Sequence, residues 1–314
     1  MIVYSSNSLA FRNAVDTNKI TNEIENAYIQ RLGRRPPPGE KVAWNNSMRF
    51  METIIRNSKI ADDCGILIEY TIPPTSKRID FIIVGKDDDG NDNFVVIELK
   101  QWDQAQATNK EGIVIAFVGR NNREMTHPSY QAWSYSQMMS DMNEAIYTNE
   151  IRGFSCAYLH NYTEKHPDPL KESQYHNIIQ QTPLFFSEDY EKLQKYLRKQ
   201  VGQGNGINLL YLIENGKIRP SKKLIEHLDS LFKGNAAFIL LDEQKVAYET
   251  IMDYAKNPNQ KRTIIVEGGP GTGLAVFARG LDASLTEAAA REHFARVGVG
   301  TGHRQQAWYY CGRQ

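Results

Sequence analysis

Three β-rich segments follow one another early in the chain, and their spacing narrows the architecture more than any other feature. Residues 66–72, Ile-Leu-Ile-Glu-Tyr-Thr-Ile, read as a strand stopped by Pro73-Pro74. Residues 78–84 read as a second strand, 86–93 as a turn rich in Asp, Asn and Gly, and 94–100 as a third strand. Residues 113–118 are expected to extend the same sheet. Helices are predicted over 18–32, 39–58 and 128–147. The second starts after Pro36-Pro37-Pro38-Gly39, a stiff break that no helix continues through. A further strand is predicted over 153–160. The result is a mixed α/β core ending near His160.

Side chains alternate between the two faces of a strand. Glu98 and Lys100 therefore project to one side, while Ile97 and Leu99 project to the other. Asp80, on the preceding strand, can sit beside Glu98. Two carboxylates and an ammonium then share one face of a hairpin. That costs self-repulsion and desolvation unless a divalent cation is present. Oxygen ligands of this kind suit Mg²⁺ or Mn²⁺. Such a metal lowers the pKa of a bound water and polarises a phosphoryl oxygen. Lys100 would orient the water or stabilise charge building up at phosphorus. An exposed strand face with one ion pair has the same spacing, so spacing alone leaves both readings open. The neighbouring Asp87–Asp92 stretch lacks the glycine that a calcium loop needs at its sixth position, and reads as a solvated turn.

His127, Gln131 and Tyr135 recur at i, i+4 and i+8, near one stripe of the predicted 128–147 helix, which Pro128 opens. Arg120-Asn121-Asn122-Arg123 precedes it. A stripe of His, Gln and Tyr beside an acidic sheet face suits phosphate and base contacts, although a half-exposed helix presents the same pattern. In order, Ile79-Asp80-Phe81, Ile97-Glu98-Leu99-Lys100 and Gln131-Ala132-Trp133-Ser134-Tyr135 resemble the PD-(D/E)XK nuclease superfamily. More narrowly they resemble its RecB-type branch, marked by Q-x-x-x-Y after the E-x-K strand. Ile79 stands where the family name has Pro. The resemblance implies a restriction-endonuclease-like mixed sheet flanked by helices. It implies Asp80 and Glu98 as metal ligands, Lys100 as the catalytic lysine, and Gln131 and Tyr135 as supporting or DNA-orienting residues. It also implies one more Glu on the first core helix. Glu40, four residues before Trp44, is the choice and Glu52 the competitor. Glu69 is read as facing solvent or packing structurally.

Residues 161–183 are polar, contain Pro167 and Pro169, and read as a linker or exposed loop. Helices are expected over 187–201, 221–233 and 242–255, with short strands at 209–213 and 263–267. The last leads into Gly268-Gly269-Pro270-Gly271-Thr272-Gly273, the spacing of a phosphate-binding loop. The next residues, Leu274 and Ala275, replace the required Lys and Ser/Thr, so Gly268, Gly271 and Gly273 form a degenerate site. Leu240-Leu241-Asp242-Glu243-Gln244 looks like the adenine-reading glutamine motif of superfamily-one helicases. Residues 1–273 are thus similar to bacterial Schlafen-related DNA/RNA helicases with an N-terminal nuclease domain. The implied division is a nuclease-like domain at 1–161, a smaller α/β linker region at 162–235 and the start of a helicase domain at 236–273. Too few residues follow for the remaining motor motifs, and ATPase or helicase activity is not expected.

Residues 274–314 hold eight Ala and five Arg but no Lys, Ile or Asn. So sharp a change suggests a foreign tail, out of frame or fused on; the alternative is a native tail with a capped amphipathic helix over 284–297. Composition excludes little else. Lys+Arg and Asp+Glu are both 37, which rules out a globally basic nucleic-acid coat but not a local basic groove. Cys64, Cys156 and Cys311 make no CxxC pair, so neither a zinc knuckle nor a disulfide scaffold is expected. No apolar run reaches membrane-spanning length and no secretory signal is read, so a cytoplasmic protein without membrane contact is expected. The leading expectation is a Mg²⁺-dependent DNA nuclease in phage defence or DNA repair, with RNA as an admissible substrate and a homo-oligomer as an admissible assembly. A non-catalytic nucleic-acid-binding fragment is the second, and a nucleotide-binding module using Gly268–Gly273 the third.

Overall fold

The structure, a computed structural model, describes residues 2–72, 75, 77–221, 239–256, 262–268, 277, 281, 295–300 and 305–311. A six-stranded sheet of mixed orientation organises residues 2–215. It comprises β1 (Ile2–Asn7), β2 (Gly65–Thr71), β3 (Arg78–Lys86), β4 (Asp92–Lys100), β8 (Arg152–Leu159) and β9 (Leu184–Phe186), in the order β1-β2-β3-β4-β8-β9. β1 to β4 pair antiparallel; β8 runs parallel to β4, and β9 parallel to β8. The change of direction follows from the connections. Short turns return β2 to β3 and β3 to β4, whereas β4 reaches β8 through a crossover carrying a helix.

Helices cover both faces. α1 (Ser8–Asp16), α2 (Ile20–Leu32), α3 (Pro38–Ser58) and α7 (Tyr190–Val201) pack on one, around Phe11, Tyr28, Met51, Ile68, Phe81, Ile97 and Leu197. α4 (Pro128–Met142), α5 (Glu144–Thr148) and α8 (Gly206–Asn215) pack on the other, around Leu67, Ile82, Phe94, Val96, Tyr135 and Leu209. A sheet buried on both faces accounts for the nearly unbroken apolar runs of β3 and β4.

Several expectations need correction. β6 (Ile113–Val118) does not extend the main sheet. It pairs with β5 (Ala105–Ala107) and β7 (Asn121–Thr126) in a second, three-stranded sheet. The edge of β4 that it would need is taken by β8, from Asn93↔Arg152 to Lys100↔Leu159. The 128–147 helix is two helices, because Asn143 adopts an extended backbone and its side chain caps α5 by accepting from the Ala145 N–H at 3.0 Å. The 161–183 stretch is not simply an exposed loop: it carries α6 (His176–Gln181), and it buries Leu170 and Tyr175. The 209–213 strand is part of α8. Leu209 and Ile213, four residues apart, face the sheet while Tyr211 lies exposed. Gly206 lets α8 begin there, since a Cβ would overlap the Gly65 amide nitrogen and the Val84 carbonyl. β1 and α1 were not anticipated.

α9 (Glu243–Lys256) matches its expected span and leads towards β10 (Arg262–Gly268). β10 joins β12 (Gln305–Cys311) and β11 (Ala295–Gly300) in a third sheet of order β10-β12-β11. The change of composition at residue 274 is therefore not a break in strand pairing. Residues 295–297 are extended, not helical as the 284–297 alternative requires. The helix expected over 221–233, and the loop residues Gly271 and Gly273, lie outside the described residues. Among the described residues no helix is long and apolar enough to cross a membrane.

Candidate active site

The ladder between β3 and β4 runs from Lys86↔Asp92 to Phe81↔Ile97 and stops there. The next pair would be Asp80 and Glu98. Beyond it β4 stays with β8, as far as Lys100↔Leu159, while β3 stays with β2. The two strands diverge, and Asp80 Oδ2 fills the opening by accepting the Leu99 N–H at 2.9 Å. Across β3, Glu69 has a left-handed backbone, φ +57°, and makes no ladder pair with either neighbour. Facing inverts at this point. Ile68 and Phe81 belong to the core under α3, whereas Tyr70 and Ile79 belong to the core under α4. The inversion brings the Glu69 carboxylate to α3, where Trp44 Nε1 donates to Oε1 at 2.7 Å and Arg78 meets Oε2 at 2.7 Å. A residue of this conformation inside a strand carries strain of roughly 1–3 kcal/mol, which the surrounding network must offset.

These residues line a cleft of about 870 Å³ that includes Glu40, Glu69, Arg78, Asp80, Lys100 and Asp242. Lys100 Nζ donates to Glu98 Oε1 at 2.7 Å, while Glu98 Oε2 is buried with no donor facing it. The Asp80 and Glu98 carboxyls lie close enough for each charge to act on the other. Burial raises the Asp80 carboxyl, against the opposing pull of the Lys100 ammonium and the Leu99 N–H. Burial and then the Asp80 charge push Glu98 up to about 8. Burial, then Asp80, push Glu69 up to about 7. Burial works against the Lys100 ammonium, but Glu98 and Asp80 outweigh it and raise its pKa.

Of the two helix glutamates, Glu40 reaches the cleft and Glu52 does not; Glu52 pairs with Arg56. Arg78 donates to both Glu40 oxygens, at 2.8 and 3.4 Å. Glu40 thus lies in the cleft bound to Arg78 and is not gathered with Asp80 and Glu98 as a third ligand, because the guanidinium satisfies it first. Gln131 and Tyr135 meet as their spacing suggests: Gln131 Nε2 donates to Tyr135 Oη at 2.9 Å. Tyr135 lines the cleft, with its pKa raised by burial and by the charges of Glu98 and Asp242.

His127 is placed differently from its expected role in contacting nucleic acid. It is fully buried and caps α4, its Nδ1 accepting from the Ser129 N–H at 3.2 Å. Nε2–H donates to the Leu170 carbonyl at 3.0 Å, and the ring stacks on Tyr175. Burial lowers its pKa to about 4. The ring lies one turn before Gln131 but points into the core, because a capping side chain turns back onto the helix end.

Two members of the cleft were missed. Spacing alone makes Glu69 solvent-facing or structural, and no composition signal betrays a left-handed residue in the Ile/Leu-rich β2. Asp242 comes from the segment read as a nucleotide motif. Tyr135 Oη donates to its Oδ2 at 2.6 Å, Lys77 Nζ lies 3.1 Å away, and its Oδ1 is buried with no donor. Gln244 Oε1 accepts from the Leu241 N–H at 3.0 Å, closing the turn that presents Asp242. Gly268 ends β10 opposite Gln305.

Among the described residues, no set of three or more His, Cys, Asp or Glu forms a metal group. Asp80 and Glu98 nevertheless fit a hard divalent cation by their chemistry. Both are oxygen donors, they repel one another, and one buried oxygen lacks a partner. Mg²⁺ needs only one or two carboxylates when water and a phosphate supply the rest. Comparison with family models, curated proteins and solved structures yields no match for this chain.

Proposed function

We propose that the chain is a Mg²⁺- or Mn²⁺-dependent nuclease of restriction-endonuclease-like fold that hydrolyses DNA phosphodiester bonds. The observation that carries this reading is the divergence of β3 from β4, which sets Asp80 and Lys100 on the wall of a cleft, with the buried Glu98 carboxylate bonded to Lys100. A divalent cation between Asp80 and Glu98 would supply a water of lowered pKa and polarise the phosphoryl oxygen. The rest falls to the side chains. A water oxygen adds to phosphorus as that water gives up a proton to solvent, the opposite P–O ester bond breaks, and the departing oxygen takes a proton from solvent. The Lys100 ammonium, kept charged by Glu98 and Asp80, faces the negative charge that builds on the phosphoryl oxygens. Tyr135, fixed between Gln131 and Asp242, lines the same cleft. Membership of the RecB-type PD-(D/E)XK nucleases, a place in a Schlafen-related nuclease-helicase, and a cytoplasmic role in phage defence or DNA repair belong to the same proposal.

The test is cleavage of linear and circular, single- and double-stranded DNA with Mg²⁺, Mn²⁺ or EDTA, wild type beside Glu98→Gln. Metal-dependent cutting that falls by roughly 10²–10³-fold in the variant is the expected result. Glu98→Gln keeps the side-chain size and an oxygen for the Lys100 ammonium, and its melting temperature, taken beside wild type, separates lost activity from lost fold. Wild-type cutting in EDTA, or full activity in the variant, overturns the proposal. The alternative, a non-catalytic nucleic-acid-binding fragment, has one observation in its favour. Lys100, the cation that the cutting step needs, is already engaged by Glu98. DNA bound without cutting under every metal condition favours it.

A further inference from the structure

The β6–β7 hairpin stands at the mouth of the cleft. Phe117, Val118 and Gly119 from its tip line that cleft together with Lys100, Trp102 and Tyr135. Val118 pairs with Asn121, so Gly119 and Arg120 alone make the turn. Both have positive φ, +60° and +71°, the signature of a type I′ turn. Glycine takes this conformation freely. Arginine does not, so a residue with strong local cause to be Gly or Asn is instead a cation held in strain. Arg123 follows on β7 and is exposed, as is Arg120. Phe117 is 58% exposed. The hairpin beneath is firmly held: Ala116 and Val114 are buried against Trp102 and Leu159, and Lys110 grips both Glu124 oxygens at 2.8 Å. The ribbon thus carries one bare aromatic ring and, at its turn, the Arg120 guanidinium beside the acidic cleft, while Arg123, paired with Ala116, lies on the face away from Phe117.

We infer that the tip of the β6–β7 hairpin is a platform for single-stranded DNA: a base stacks on Phe117, and a flanking phosphate meets Arg120 at the turn. For the fate of the strand this rests on the nuclease reading, since the platform would lead the backbone towards Asp80 and Glu98. The chemistry selects a single strand. A phenyl ring can stack only on a base with a free face, which an intact duplex keeps covered, and stacking accepts any base. The Arg120 guanidinium supplies a sequence-independent phosphate contact.

The experiment is fluorescence anisotropy in EDTA with a labelled single-stranded oligonucleotide, the same length as a blunt duplex, and a strand of abasic sites. Wild type is compared with Phe117→Ala, Phe117→Trp and Arg120→Gly. Phe117→Ala should weaken single-strand binding roughly tenfold, in line with the loss of one stacked base, and leave duplex and abasic binding unchanged. Phe117→Trp should restore it. Arg120→Gly, which relieves the turn, should fold at least as well and bind all three more weakly. Equal single-strand binding by wild type and Phe117→Ala, or no single-strand binding by wild type, overturns the inference. Cleavage of the same substrates with Mg²⁺ keeps the two claims apart. Phe117-dependent binding without cutting sinks the nuclease and supports the platform; cutting with Phe117-independent binding does the reverse.

Discussion

His127 is the residue whose environment departs furthest from its expected role, and its titration follows directly. Above its ordinary value of 6.5 the ring is neutral in both the folded and the unfolded chain. Below that value the unfolded chain takes up a proton that the folded chain refuses until about 4. Its folded pKa is depressed, so its contribution lowers stability as pH falls from 6.5 towards 4 and levels off below. At a pH of about 5 the loss is about 2 kcal/mol. His127→Asn keeps an oxygen able to cap α4 and removes the titration. Urea unfolding at pH of about 7.5 and about 5 should show a fall in stability smaller by about 2 kcal/mol in the variant than in wild type. An unchanged fall would mean that the ring is not held neutral. The contrast with Asp80, Glu98 and Lys100 shows what is legible at this scale. Their nearness followed from strand alternation and hairpin register, which depend on residues close in sequence. The orientation of His127 depended on Leu170, and that of Glu69 on one backbone angle; neither leaves a trace in spacing.

Elements were legible where pattern and length agreed. α2, α3, β2, β3, β4 and β8 lie close to their expected spans because each is long, periodic or bounded by Pro, Gly or Asp clusters. α8 was misread because Leu-Leu-Tyr-Leu-Ile is a short apolar run that suits strand and helix alike. The break between α4 and α5 was missed because a single Asn makes it. Asn143 is buried, and its two side-chain ends do different work: Oδ1 caps α5, and Nδ2 donates to the last-turn carbonyl of Ile213 in α8 at 2.9 Å. The residue therefore ties three elements together. Asn143→Ala removes a helix cap and leaves a buried carbonyl without that donor, a loss of about 2 kcal/mol. Asn143→Asp keeps the cap but buries a carboxylate oxygen against the Ile213 carbonyl, and should be the least stable of the three. Urea denaturation of the three proteins checks the order; equal stability of Asn143→Ala and wild type would show that α5 and α8 hold without it.

Across the whole molecule, net charge is zero, yet the cleft is not neutral. Glu40, Glu69, Asp80 and Asp242 line it with Lys77, Arg78 and Lys100, four carboxylates against three cations, and a fifth carboxylate, the buried Glu98, is bonded to Lys100. A polyanion can approach such a cleft only if protons or a divalent cation remove the excess, which is the condition that the proposed metal meets. One of the five acids arrives from far along the chain. Tyr130 Oη donates to the Leu240 carbonyl at 3.0 Å, Leu241 sits in the core under α4, and a buried Lys245–Glu249 pair lies over Tyr130. Residues 240–249 are thus anchored on the α4 side of the sheet, and Asp242 is held at the cleft by that anchorage. No local pattern could announce this, since the contact joins residues 107 apart in sequence. Asp242→Asn keeps an oxygen for the Tyr135 hydroxyl and removes the charge. It should raise affinity for single-stranded DNA in EDTA by roughly fivefold at low salt, the effect of about 1 kcal/mol between close charges in water. The gain should shrink as salt screens the field. Anisotropy titrations at low and high salt decide it. A gain that persists at high salt would assign Asp242 a steric role, and no gain at either would mean that the strand passes the cleft without sensing its charge.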